Sequence, residues 1–132
     1  MILCDTGIIV ALASKTDQYH RQCVEATKST RVQFVTTWPC ITEAMHLVGI
    51  PYDRELVRQM VETGFLSLPS PTIADALRAC ALMRKYADAP MDFADASLVV
   101  AAETLNITRI LTLDSHFYAY RINDAAPFEV LP

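Results

Sequence analysis

Five acidic residues stand in settings where a plain surface charge is not the only reading. Asp5 ends the apolar run "MILCD", and Asp114 ends "RILTLD". Glu43 lies among Ile41, Ala44, Met45 and Leu47 in "CITEAMHLV". Asp92 and Asp95 open "DFADASLVVAA" at i, i+3 spacing, which places both on one face of a first helical turn. Carboxylates brought together repel one another, and some take up protons unless a cation offsets them. Oxygen ligands in this number suit Mg²⁺ or Mn²⁺ rather than Zn²⁺, which prefers His and Cys. One or two such ions can activate a water and stabilise the charge that builds on a phosphodiester during in-line attack. Each acid also has a plainer role. Asp5 and Asp114 can be turn residues, Asp92 an N-cap, Asp95 a complement to a helix dipole, and Glu43 an exposed helix acid.

What joins the five is the elements that carry them. Met1–Asp5 reads as a short buried strand, followed by a helix from Gly7 to about Ala13 with Thr6 as its cap. Gln18–Ser29 has helical spacing, with Tyr19, Cys23 and Ala26 on one face. Val32–Thr37 is β-branched and aromatic, hence a strand. Pro39 suits the first turn of the helix carrying Glu43, and Pro51 is expected to stop that helix. "DRELVRQMVETG" reads as a helix with an Asp cap and a closing Gly64. "FLSLPS" is a short strand, and Thr72 with Asp75 is a capping box for a helix to about Tyr86. Asp92 opens the next helix, Thr108–Asp114 is a strand, and "PFEVLP" is a final one.

Strands alternate with helices, so the expected fold is α/β: a three-layer sandwich with a mostly parallel central sheet. The strands are near-continuous apolar runs, as when both sheet faces are covered. Ligands of such sheets bind outside the carboxyl ends of the strands. Asp5 and Asp114 belong at that edge. The helix of Glu43 begins there too, and the apolar run after Asp95 (Leu98 to Ala102) marks a buried helix whose acidic mouth faces a cleft.

The bulk composition agrees. The chain has 132 residues, 52% hydrophobic and 20% charged, which fits one globular domain over 1–132. Its net charge of −4 counts against a purely electrostatic nucleic-acid binder. Two divalent ions, at +2 each, would bring −4 to 0. The four cysteines form no C-x-x-C and read as reduced structural thiols of a cytoplasmic protein. The start has no basic n-region, and no apolar stretch approaches the ~18 residues of a membrane span.

With these residues placed, the chain resembles the PIN-domain family, and within it the VapC-type toxin ribonucleases. "DTGIIVAL" looks like the family's opening strand-Asp-Thr/Ser element, and "TEAMHLV" like its helix Glu. "DFADASLVVAAE" is similar to its D-x-x-(I/L)-x-x-A helix, with Asp95, Leu98 and Ala101 at those places. "TLDSHF" looks like its closing T-x-D-x-x-F element. The resemblance implies an endoribonuclease dependent on Mg²⁺ or Mn²⁺. It carries the acidic catalytic and metal ligands to Asp5, Glu43, Asp95 and Asp114, with Asp92 a further candidate and Thr6 and Thr112 as supporting residues. It also implies an RNA substrate, a homodimer and a cognate antitoxin. "AMHLVGIPY" and "ACALM" offer apolar surface for a dimer.

Other residues have weaker signals. Lys15, Arg54, Arg58, Arg84 and Lys85 are dispersed and read as solvated charges. His46 and His116 are near the acids, but metal chemistry needs neither. Trp38, before Pro39, reads as a packing residue rather than a base-stacking one. Two further functions compete with the ribonuclease. One is a non-catalytic PIN-like module that binds RNA or protein. The other is a receiver-like signalling domain, disfavoured because Asp5 has no acidic neighbour and no Lys follows Lys85.

Overall fold

A computed structural model describes residues 1–132. Its centre is a five-stranded, all-parallel sheet in the order β3-β2-β1-β4-β7. In chain order, β1 is Ile2–Cys4, β2 Phe34–Val35, β3 Leu66–Ser67, β4 Arg109–Leu111 and β7 Glu129–Leu131. The helices are α1 Thr6–Ala13, α2 His20–Lys28, α3 Trp38–Leu47, α4 Pro51–Glu62, α5 Ile73–Lys85 and α6 Phe93–Leu105.

The connections explain the layers. From β1 the chain steps one way, through α1 and α2 to β2 and through α3 and α4 to β3. It then crosses back through α5 and α6 to β4, on the other side of β1. Parallel crossovers are almost always right-handed, so this reversal puts α1–α4 on one face and α5–α6 on the other. The packing agrees: α1 lies against α2, α3 and α4, and α5 against α6. Ile2, Leu3, Cys4, Phe34, Val35, Ile110 and Leu111 are buried on both sides, which explains their lack of polar alternation. In α6, Ala94, Ala96 and Leu98 through Ala102 are all buried, as the apolar run requires.

The strands are shorter than the apolar runs that mark them. In Val32–Thr37 only Phe34 and Val35 pair as strand, because the neighbouring strands are themselves only two or three residues long. Several boundaries differ from expectation for reasons of capping. Asp5, not Thr6, caps α1, and Thr6 is the first helical residue. Pro51 does not stop α3, which ends at Leu47. It begins α4, where its missing N–H costs nothing. Asp53 is therefore inside the first turn of α4, and Ile50 holds the cap position.

One element is new. After β4, a 3₁₀ turn (Ser115–Tyr118) leads into a hairpin of β5 (Arg121–Ile122) and β6 (Ala126–Pro127). Asn123 and Asp124 occupy its tip with φ of 53° and 58°. Two successive positive φ values define the type I′ turn, and Asn and Asp tolerate them better than most residues. Cys4, Cys23 and Cys40 are buried, Cys80 is exposed, and all four are free thiols. No helix is long and apolar enough to cross a membrane.

Candidate metal centre

The direction of strand order reverses at β1, with β2 on one side and β4 on the other. Such a switch point opens a crevice at the carboxyl ends of the two central strands. Asp5 follows β1 there, and Thr112 follows β4. The pairing continues past both strands, with Asp5 N–H donating to the Leu111 carbonyl at 3.1 Å.

Asp5 is held by both of its carboxylate oxygens. Oδ1 accepts from the Thr6 backbone N–H at 2.7 Å, and Oδ2 from the Thr112 hydroxyl at 2.6 Å. The Thr6 hydroxyl donates to Glu43 Oε1 at 3.0 Å and so ties α1 to α3. Asp92 and Asp95 form a capping box. Asp95 N–H donates to Asp92 Oδ1 at 2.8 Å, and Asp92 N–H to Asp95 Oδ2 at 3.2 Å. The plain N-cap role of Asp92 is therefore real, and it leaves one oxygen of each carboxylate outside the box. Thr37 and Ser97 share a hydroxyl hydrogen bond of 2.6 Å, which brings the start of α3 against α6 and Glu43 towards Asp92. Asp114 caps the 3₁₀ turn, accepting from His116 N–H at 2.9 Å, and its own N–H donates to Thr112 Oγ1 at 3.0 Å.

Four remote stretches of chain thus deliver carboxylates to one edge. No lysine or arginine pairs with any of the five. The one basic neighbour is His116, whose Nδ1 lies 2.7 Å from Asp114 Oδ1. Protonation follows from this. Burial pushes Asp5 above the usual carboxylate range against the pull of Thr112 and Thr6, and the charges of Asp114 and Asp92 add to it. Asp95 is pushed up to about 7, first by burial and then by the charges of Asp92, Asp5 and Asp114. Glu43 is raised as well, by burial foremost and then by Asp92 and Asp5.

The donor set is all hard oxygen, carboxylate and hydroxyl, which fits Mg²⁺ or Mn²⁺. The acids do not form a complete cage, since no three of them approach a common point closely enough. Mg²⁺ suits an open set of this kind, because it keeps several waters and takes only one or two carboxylates directly.

Other candidates fall outside the centre. His46 is exposed on α3 with no partner. Arg58 pairs with Glu55 and Glu62, Lys85 with Asp124, and Arg54 donates to the Met45 and Val48 carbonyls. Trp38 is not a packing residue. It is 53% exposed at the N-terminal turn of α3, where it borders Glu43, Asp92 and Phe93. "ACALM" does not supply free surface evenly, because Ala79 and Leu82 are spent on the core. Leu47, Ile50 and Tyr52 of the other stretch are exposed. Spacing gives no sign of Tyr120, yet it is fully buried near the acids and donates to the Pro90 carbonyl.

Residues 2–123 match the PIN domain family. The chain belongs to that family. Ribonuclease VapC26 of Mycobacterium tuberculosis (strain ATCC 25618 / H37Rv) is 29% identical over 135 residues, covering 99% of this chain and all of the relative. Among solved structures, the fold is similar to VapC20 of Mycobacterium tuberculosis, a sarcin–ricin loop cleaving toxin. The TM-score is 0.81 at 16% identity, over 90% of this chain and 94% of that one. A toxin–antitoxin complex from Klebsiella pneumoniae gives 0.68 at 18% identity, over 87% and 88%. This PIN domain therefore shares its fold with those two structures.

Proposed function

We propose that this chain is a Mg²⁺- or Mn²⁺-dependent endoribonuclease, the toxin of a toxin–antitoxin pair, acting in the cytoplasm. The observation that carries this reading is the edge itself. Carboxylates from four segments converge there with no lysine or arginine to neutralise them. The full-length likeness to a VapC ribonuclease supports it.

Asp5, Glu43, Asp95 and Asp114 would hold the ion, with Asp92 as a further donor, one or two of them directly and the others through the ion's waters. A bound Mg²⁺ or Mn²⁺ supplies an acidified water and offsets the charge that builds on the phosphodiester. The protein's part is orientation. Thr112 and the Thr6 N–H fix the two oxygens of Asp5, so that its carboxylate plane is set before any ion arrives. The Thr6 hydroxyl fixes Glu43, and the capping box fixes Asp92 against Asp95. Without a cation, this edge repels a phosphate backbone.

A second copy of the chain and a cognate antitoxin are the protein partners in this reading. A groove of about 680 Å³ adjoins the acidic mouth, lined in part by Trp38, Ile73 and Phe93. Those three are 53%, 82% and 40% exposed, an apolar surface of the kind that a protein partner covers. Light scattering tests the dimer, and a monomer at high concentration would remove it.

Cleavage of a structured RNA with Mg²⁺ or Mn²⁺ tests the main reading. The wild type should cut, while Asp5→Asn and Asp95→Asn should not. Equal cleavage by the variants would remove the carboxylate mechanism. The alternative reading is a non-catalytic RNA- or protein-binding module. RNA binding without turnover in any divalent ion would establish that alternative.

A further inference from the structure

The segment that carries Asp92 into α6 is poorly held. Residues 87–91 make no backbone–backbone hydrogen bond, and they join neither α5 nor α6. A single hydrogen bond reaches them, from the Tyr120 hydroxyl to the Pro90 carbonyl at 2.6 Å. Met91 adds a buried side chain beside it. Asp92 follows two residues after Pro90, and Asp92 in turn sets Asp95 through the capping box.

Tyr120 is itself fixed from the opposite side of the site. It closes the turn that Asp114 opens, with its N–H donating to the His116 carbonyl at 3.3 Å. Its ring packs edge-on against Phe117 and against Tyr86, each at 5.1 Å between centroids. Phe117 continues the stack to Phe128 at 5.6 Å. The hydroxyl thus joins the Asp114 turn to the Asp92–Asp95 segment, and the aromatic stack keeps that link rigid.

We propose that Tyr120 is a positioning residue for the metal centre: its hydrogen bond to the Pro90 carbonyl sets the spacing between the Asp114 turn and the Asp92–Asp95 capping box. The inference rests on the metal-dependent reading above, since the spacing matters only if both segments face one ion. Outer partners of this kind hold their ligands in place without touching the reacting atoms.

Tyr120→Phe tests it, because the ring and its stacking survive. Compared with wild type, Mn²⁺ binding by calorimetry should weaken by about 10-fold. The kcat for RNA should fall while KM stays the same. Amide hydrogen exchange at Met91–Asp95 should quicken in the metal-free protein. Tyr86→Phe is the control: it removes the acceptor of the Arg121 N–H at 3.0 Å in the same aromatic stack without touching Pro90. It should lower Tm and leave Mn²⁺ affinity unchanged. Wild-type values of Mn²⁺ affinity and amide exchange in Tyr120→Phe would overturn the proposal, as would an equal loss of affinity in Tyr86→Phe. If wild type binds Mn²⁺ but cuts no RNA, the ribonuclease reading fails and the Mn²⁺ comparison still decides this one. If it binds no Mn²⁺, the metal-dependent reading fails and this proposal fails with it, whatever the exchange at Met91–Asp95.

Discussion

Two groups of acids in this molecule are treated in opposite ways. Away from the crevice, Arg78 reaches Glu103 through two hydrogen bonds of 3.0 Å and Asp124 at 3.2 Å. Lys85 reaches Asp124 at 2.7 Å, and the Asn123 N–H donates to Glu103 at 2.7 Å. There every carboxylate has a cation, and Lys85 with Arg78 holds Asp124 below the usual carboxylate range. At the crevice, Asp5, Glu43 and Asp95 have hydroxyls and backbone N–H groups instead, and burial holds all three above that range. The first group is finished: it pins the β5–β6 hairpin to α5 and α6. The second is oriented but not neutralised. Hydroxyl partners fix a carboxylate without supplying charge, which is what a site for an outside cation requires.

Substitutions at the crevice should have the largest effect. Asp5→Asn or Asp95→Asn should lower RNA cleavage by more than ~100-fold, beyond the loss usual for an outer partner, with Tm unchanged or higher. A gel assay of cleavage beside a thermal melt checks both halves. Thr112→Val removes the bond to Asp5 Oδ2 and should reduce cleavage by about 10-fold. An effect of this size on cleavage from Arg78→Ala would instead erase the distinction between the two groups.

Arg78→Ala should act on stability. It leaves Glu103, whose side chain is only 9% exposed, without its cation. The expected cost is about 1–3 kcal/mol in chemical denaturation, with kcat intact. The exposed Lys85–Asp124 pair is worth less, and Lys85→Ala should lower Tm by less than Arg78→Ala does.

The pH dependence separates the groups again. Asp95 titrates at about 7 in the metal-free fold, above its value in the unfolded chain. Its protonation therefore favours the folded state: that stability is full below the unfolded value and is lost as pH rises through about 7. Asp5 and Glu43, also raised, act in the same direction. Asp124 is lowered, so its contribution is present above its unfolded value and lost as pH falls further. Metal-free Tm should drop between pH 5.5 and 8 by more in wild type than in Asp95→Asn.

Much of the crevice is legible in the sequence. A carboxylate at the end of an apolar run, as in Asp5 and Asp114, marks a strand that stops at a ligand edge, and the apolar run after Asp95 marks its helix as buried. The motifs themselves led to the PIN domain family. What stays hidden is whatever depends on partners far along the chain. The Thr112 bond to Asp5 spans 107 positions, and the Arg78–Glu103–Asp124 network joins three elements. Tyr120, in "FYAY", has no periodicity that separates it from Tyr118, yet one is fully buried and the other 65% exposed. Trp38 misleads because an aromatic before proline suggests packing, whereas the first turn of α3 turns it outward. The hairpin is hidden because Asn123-Asp124 is a weaker turn signal than Asn-Gly.

The central claim is that the crevice acids await a cation, and Mn²⁺ calorimetry at pH 6.5 in buffers of different ionisation enthalpy tests it most directly. The account predicts binding to wild type with release of protons, as Asp95, pushed up to about 7 by burial and its acidic neighbours, ionises around the ion, and loss of both in Asp95→Asn. Absence of binding in wild type, or equal affinity and proton release in Asp95→Asn, would contradict it.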